Sequence, residues 1–142
     1  MPRESVVDAL NVIHRALRPG GILLDVHPTD APSPLAVLAA DQTATPLGNT
    51  EFAGTFAGDV EAAEDALVQQ ENDGHFTHKQ EAEFDFVHHF TLDQWHKYLN
   101  AQIDDYVPFT DELTNAIHES MQTPETILTL GEHIKATSYR AR

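Results

Sequence analysis

The sequence predicts an α/β fold: one buried parallel-type strand, a long antiparallel strand pair, flanking helices and a possible short extra hairpin. Three observations carry this. Val6, Leu10, Ile13 and Leu17 recur at spacings of four, three and four, which is one face of a helix. That helix runs through Pro19-Gly20-Gly21 into the apolar stretch Ile22, Leu23, Leu24 and Val26. Such a run suits a strand covered on both faces, as in a parallel sheet. Finally, 76–90 and 126–139 have similar lengths and alternating patterns, which pairs them antiparallel.

The elements follow in order. Either Pro2 or Ser5 starts the first helix, since proline suits a first helical position and serine a cap. Arg15 and Arg18 suit its carbonyl end, and Pro19 stops it. A strand covers 21–27, and Pro28, Pro32 and Pro34 make the next stretch an extended loop. Residues 35–49 allow two readings: a short helix over 35–40, or strands at 35–39 and 44–48 around Asp41-Gln42. Residues 49–58, rich in glycine, read as loop, and Asp59 caps a helix that Gly74 ends near Asn72.

In 76–90, Phe76, Ala82, Phe84, Phe86 and Phe90 share one parity, while Lys79, Glu81, Glu83 and Asp85 share the other. One face should therefore meet a core and the other water. Thr91 with Gln94 forms a capping box, and Phe90 against Trp95 a hydrophobic staple. Leu92, Trp95, Leu99 and Ile103 then face inward. After a loop at 104–109, Thr110 opens a helix with Leu113, Ile117 and Met121 inward, and Thr123-Pro124 stops it. The last strand places Leu128, Leu130, Ile134 and Ala136 on one face, with Gly131 marking a bulge. No internal repeat is present, and 142 residues suit a single domain spanning 1–142.

The stretch Asp8-Ala9-Leu10 through Leu17-Arg18-Pro19-Gly20-Gly21-Ile22-Leu23-Leu24 resembles the helix and fifth strand of class I S-adenosylmethionine-dependent methyltransferases. Glu81 to Phe90 followed by Thr91-Leu92-Asp93-Gln94-Trp95 is similar to the late strand and helix of one branch of that family, and His133 to Thr137 to its last strand. The resemblance favours the hairpin reading of 35–49. It implies the C-terminal half of a Rossmann-like methyltransferase fold. The family's glycine-rich turn and acidic residue, which hold the cofactor, belong well upstream of Pro19. The resemblance thus leads to the expectation of a truncated chain with a shortened or misassigned gene start. Such a chain binds no S-adenosylmethionine by itself and has no activity in isolation. The alternatives are a dimeric small-molecule-binding or interaction module, and a subunit that joins a separate cofactor-binding chain.

Composition narrows the rest. A net charge of −15 repels a phosphate backbone and anionic lipid, so neither nucleic acid nor membrane is an expected partner. The chain has no cysteine, which excludes disulfides and thiolate chemistry. Pro2-Arg3-Glu4 leads straight into an amphipathic helix, and no apolar run approaches the ~18 residues of a span, so the expected location is cytoplasmic.

The nine histidines yield no expected metal site. His75 and His78 point to opposite faces of a strand, and His78 and His88 lie roughly 33 Å apart along it. His27, Thr29 and Asp30 follow the carboxyl end of a strand, where ligands bind in open α/β sheets. With His88, set among Phe84, Phe86 and Phe90, they are the candidate substrate-binding residues. Asp25, inside the strand, reads as a carboxylate satisfied by a helix N-terminus or water. Without the family's preceding parallel strand, the apolar strand leaves an open edge, so a homodimer is expected.

Overall fold

The computed structural model describes residues 3–142, and Ile103 by its backbone alone. The helix start at Pro2 and the inward Ile103 side chain lie outside the described residues. The elements are α1 (Arg3–Ala16), β1 (Ile22–Pro28), β2 (Ser33–Leu38), β3 (Ala44–Thr50), α2 (Gly54–Asn72), β4 (Phe76–Phe90), α3 (Leu92–Gln102), a 3-10 turn at Ile103–Asp105, α4 (Asp111–Ser120) and β5 (Ile127–Ala141). The architecture is mixed α/β, with five antiparallel strands in the order β1-β5-β2-β3 and β4 also paired with β5. The chain divides into two compact units. One comprises 3–28, 54–84 and 134–142, the other 29–53 and 85–133.

In the first unit, the exit from α1 works as its residues suggest. Gly20 adopts φ +82°, and its N–H donates to the Ala141 carbonyl at 2.8 Å while the Ala141 N–H returns a bond to Gly21 at 2.9 Å. Leu10 of α1, Ala66 and Leu67 of α2, Phe76, Tyr139 and Ala141 form the core, with Val6, Leu17 and Leu23 against it. Ile13, expected on the same stripe, is partly exposed. Gly74, at φ +79°, closes α2, and the His75 N–H reaches back to the Gln70 carbonyl.

In the second unit, β2 and β3 form the hairpin rather than a helix. Gln42 takes a positive φ of 67° in the turn, and Asp41 Oδ1 accepts from the Thr43 N–H at 2.9 Å. The capping box is formed: the Thr91 N–H donates to Gln94 Oε1 at 2.9 Å, and the Gln94 N–H to Thr91 Oγ1 at 3.3 Å. Phe90 and Trp95 meet edge to face at 5.6 Å. The core gathers Leu35, Val37, Phe90, Trp95, Tyr106, Ile117, Met121, Leu128 and Leu130.

Several expectations are corrected. β1 is not a parallel-type strand: it pairs antiparallel with β5, from Ile22 opposite Arg140 to Pro28 opposite Ile134. Nor are both its faces covered. Leu23 meets the core, whereas Ile22, Leu24 and Val26 are 52%, 60% and 51% exposed. An apolar run specifies a strand but encodes neither the direction of its neighbour nor what lies over each face. Likewise, the middle of β4 has no core face: Ala82 is exposed, and Phe84 and Phe86 are 46% and 48% exposed.

Helix α2 opens at Gly54 rather than Asp59, so Gly54 and Gly58 are both helical although a helical glycine costs about 1 kcal/mol against alanine. Gly131 sits at a point of close approach. A Cβ there would lie 3.0 Å from Pro34 Cγ; separately, the β2–β3 pairing shifts register between Leu35 and Ala36. Among the described residues, no helix is long and apolar enough to cross a membrane.

Candidate functional site

The second unit holds a polar network built across the β4–β5 pair, α3 and the segment after it. Glu132 projects from the core face of β5, 9% exposed, between the buried Leu130 and Ile134. Its Oε2 accepts from His88 Nε2 at 3.0 Å, and its Oε1 from the Tyr106 hydroxyl at 3.2 Å. Tyr106 and Tyr98 share a hydrogen bond of 2.7 Å between their hydroxyls. A phenol that donates to Glu132 accepts from its neighbour, so the chain of donors runs Tyr98 to Tyr106 to Glu132.

Aromatic rings enclose the network. His88 lies 4.7 Å from Phe86 and 5.7 Å from Phe90, and Tyr106 stacks on Phe52 at 5.0 Å. Burial is the largest cause that raises both tyrosines above their ordinary value of 10.0. Both hydroxyls therefore stay neutral and serve as donors.

Beside it, the segment after the 3-10 turn is tied to the end of β3. Phe52 and Tyr106 form an isolated antiparallel bridge, and the Val107 N–H donates to the Glu51 carbonyl at 2.9 Å. This leaves a cleft of about 550 Å³ whose lining includes Asn49, Thr50, Glu51, Phe109, Glu112 and Leu113. A second hollow of about 470 Å³, lined by Leu99, Asp104, Tyr106 and Phe109, shares the Val107-Pro108-Phe109 wall.

The first unit contains a charged cluster. His27 Nδ1 donates to the Pro28 carbonyl at 3.0 Å, and Nε2 stands 3.5 Å from Asp25 Oδ2 and 3.7 Å from Glu64 Oε1. Lys135 Nζ binds Glu64 at 2.8 Å and approaches Glu81 at 3.6 Å. Burial raises the Asp25 carboxyl more than the neighbouring His27 lowers it. The carboxylate is thus met by a histidine rather than a helix end. A third group stacks His14 on His75 at 4.8 Å, with His75 bonded to Gln70 and Gln70 to Asn11.

The four residues chosen from sequence fall in both units. His27 belongs to the first unit. In the second, His88 joins Glu132, Thr29 Oγ1 accepts from the Ala31 N–H at 3.3 Å, and Asp30 is exposed; no described hydrogen bond or ion pair connects these three. Sequence reasoning missed Tyr98, Tyr106 and Glu132. Its one available signal was Glu132 occupying an inward position of the alternating final strand.

Among the described residues, no group of three or more histidine, aspartate or glutamate side chains is placed to hold a metal ion. The positive-φ glycines Gly20, Gly48 and Gly74 lie at two helix exits and inside β3, so none joins a strand to a following helix. Comparison with known proteins finds no matching family model, no similar curated protein and no similar solved structure.

Proposed function

We propose that this chain is the substrate-side half of a methyltransferase-like fold of class I, inactive by itself and completed by a separate cofactor-binding half. The observation that carries the reading is β1. It follows a helix and Pro19-Gly20-Gly21, pairs among the described residues only with β5, and ends the strand order. Its other edge and the apolar row Ile22, Leu24 and Val26 are left for another layer. A strand with an unpaired edge and a bare apolar face is what one half of a βαβ sheet presents when its neighbour is supplied separately.

In isolation, a second copy takes this edge. Antiparallel pairing about a two-fold axis through Leu24 sets Ile22 of one copy opposite Val26 of the other, and keeps Asp25 from facing its own copy. The net charge of −15 per chain opposes the association, so salt strengthens it.

Calorimetric titration of the pure chain with S-adenosylmethionine and S-adenosylhomocysteine tests the reading. No saturable heat is expected, and one site per chain would overturn it. Light scattering tests the dimer: a monodisperse monomer across a wide concentration range, with and without salt, would remove it.

A further inference from the structure

We infer that the cleft between the end of β3 and the start of α4 is a binding site for a small organic ammonium ion with an aromatic or aliphatic body. The inference is independent of the methyltransferase reading and rests on four observations within the second unit. The first is the cleft itself, about 550 Å³, which suits a small molecule. The second is its charge. Glu51 and Glu112 stand in the lining, and no lysine, arginine or histidine does. The third is Phe109, whose ring gives a ligand an apolar wall.

The fourth is an unpaired hydroxyl. Thr50 lines the cleft, is 4% exposed, and its Oγ1 has no hydrogen-bond partner among the described residues. Ser33, directly opposite on β2, carries a second such hydroxyl. Buried polar groups are normally satisfied, and the Thr50 hydroxyl oxygen is itself covered, so a ligand's donor reaches it only where the lining gives way.

The amino end of α4 argues for the opposite ligand, since helix N-termini attract anions. Here that end is already occupied. Thr110 Oγ1 takes the Leu113 N–H at 3.2 Å, and Asp111 and Glu112 offset the first turn. An anion would meet two carboxylates, whereas an ammonium ion is attracted by both.

The test is a nuclear magnetic resonance titration of the full chain with phenethylammonium chloride, with 3-phenylpropionate as the oppositely charged analogue. The amine should saturate with a dissociation constant of about 1 mM, as a weak site for so small a ligand allows. Shifts should centre on Thr50, Phe109 and Leu113, and the carboxylate should leave them unmoved. Glu51→Gln with Glu112→Gln should weaken the amine about ten-fold, the loss of two near-surface charge attractions. Glu125→Gln, which removes a charge outside the cleft, should change affinity less than two-fold.

The double variant and Glu125→Gln alter exposed residues, and circular dichroism checks their fold. Ala116→Trp, which fills the cleft instead, should also abolish binding. Absence of saturation, equal binding of 3-phenylpropionate, or an equal loss in Glu125→Gln would each overturn the assignment.

Discussion

Tyr106 donates its phenolic hydrogen to Glu132 at 3.2 Å from a position 4% exposed, so the carboxylate and the phenol are satisfied inside the second unit by each other. Tyr106→Phe leaves Glu132 Oε1 and the Tyr98 hydroxyl each short of a partner. It should cost about 1–3 kcal/mol in urea denaturation, the cost of stranding buried polar groups. Tyr98→Phe, at a half-buried position, should cost less. Equal losses would place the energy in the Tyr98 bond instead.

The same burial gives an alkaline signature. All three tyrosines, Tyr98, Tyr106 and Tyr139, are raised above 10.0, with burial the largest cause. A folded state that holds these protons more tightly than the unfolded chain loses stability as pH rises above 10.0. Lys135, raised above 10.5 chiefly by its hydrogen bond to Glu64, adds to the same decline. The melting temperature should therefore fall above about pH 10, and less steeply in Tyr106→Phe. A wild-type curve flat to pH 11 would contradict the assignment.

Leu24→Lys separates association from folding. Leu24 is 60% exposed, so a monomer should change by no more than about 0.5 kcal/mol, as surface substitutions do. The dimer should be lost in light scattering. An unchanged dimer would move the interface away from β1.

Thr91→Ala removes one arm of the capping box and should cost about 1 kcal/mol. Hydrogen exchange should show the loss concentrated in the first turn of α3. Uniform acceleration along the helix would mean that the cap does not limit its opening.

Gly131→Ala places a methyl group 3.0 Å from Pro34 Cγ. Overpacking of this kind costs about 1–3 kcal/mol. A neutral effect would show that β2 yields at Pro34, and Pro34→Ala in the same background would then restore nothing further.

Much of the fold is legible in particular residues. Thr91 and Gln94 announce α3 because a cap is local: four residues contain both donors and both acceptors. Gly20 and Gly74 mark their turns because only a residue without Cβ reaches positive φ cheaply. The alternation of 127–134 gives the inward row Leu128, Leu130 and Ile134, and it places Glu132 in that row. It does not reveal why a carboxylate belongs there, because Tyr106 and His88 reach it from 26 and 44 residues away in the chain.

The sequence by itself determined the helices, the final strand, the turn at Pro19-Gly20-Gly21 and the acidic surface, all properties of neighbours in the chain or of composition. Tertiary structure decided the rest. Ile22, Leu24 and Val26 read as buried, yet β5 arrives antiparallel and the helices cover only the Leu23 face. Phe84 and Phe86 alternate correctly and still meet solvent. The cleft at Thr50 and Glu112 joins segments about sixty residues apart, so no spacing rule foretells it. The physical reason is the same in each case: a pattern fixes which side chains share a face, but only the other segments of the chain determine what, if anything, covers that face.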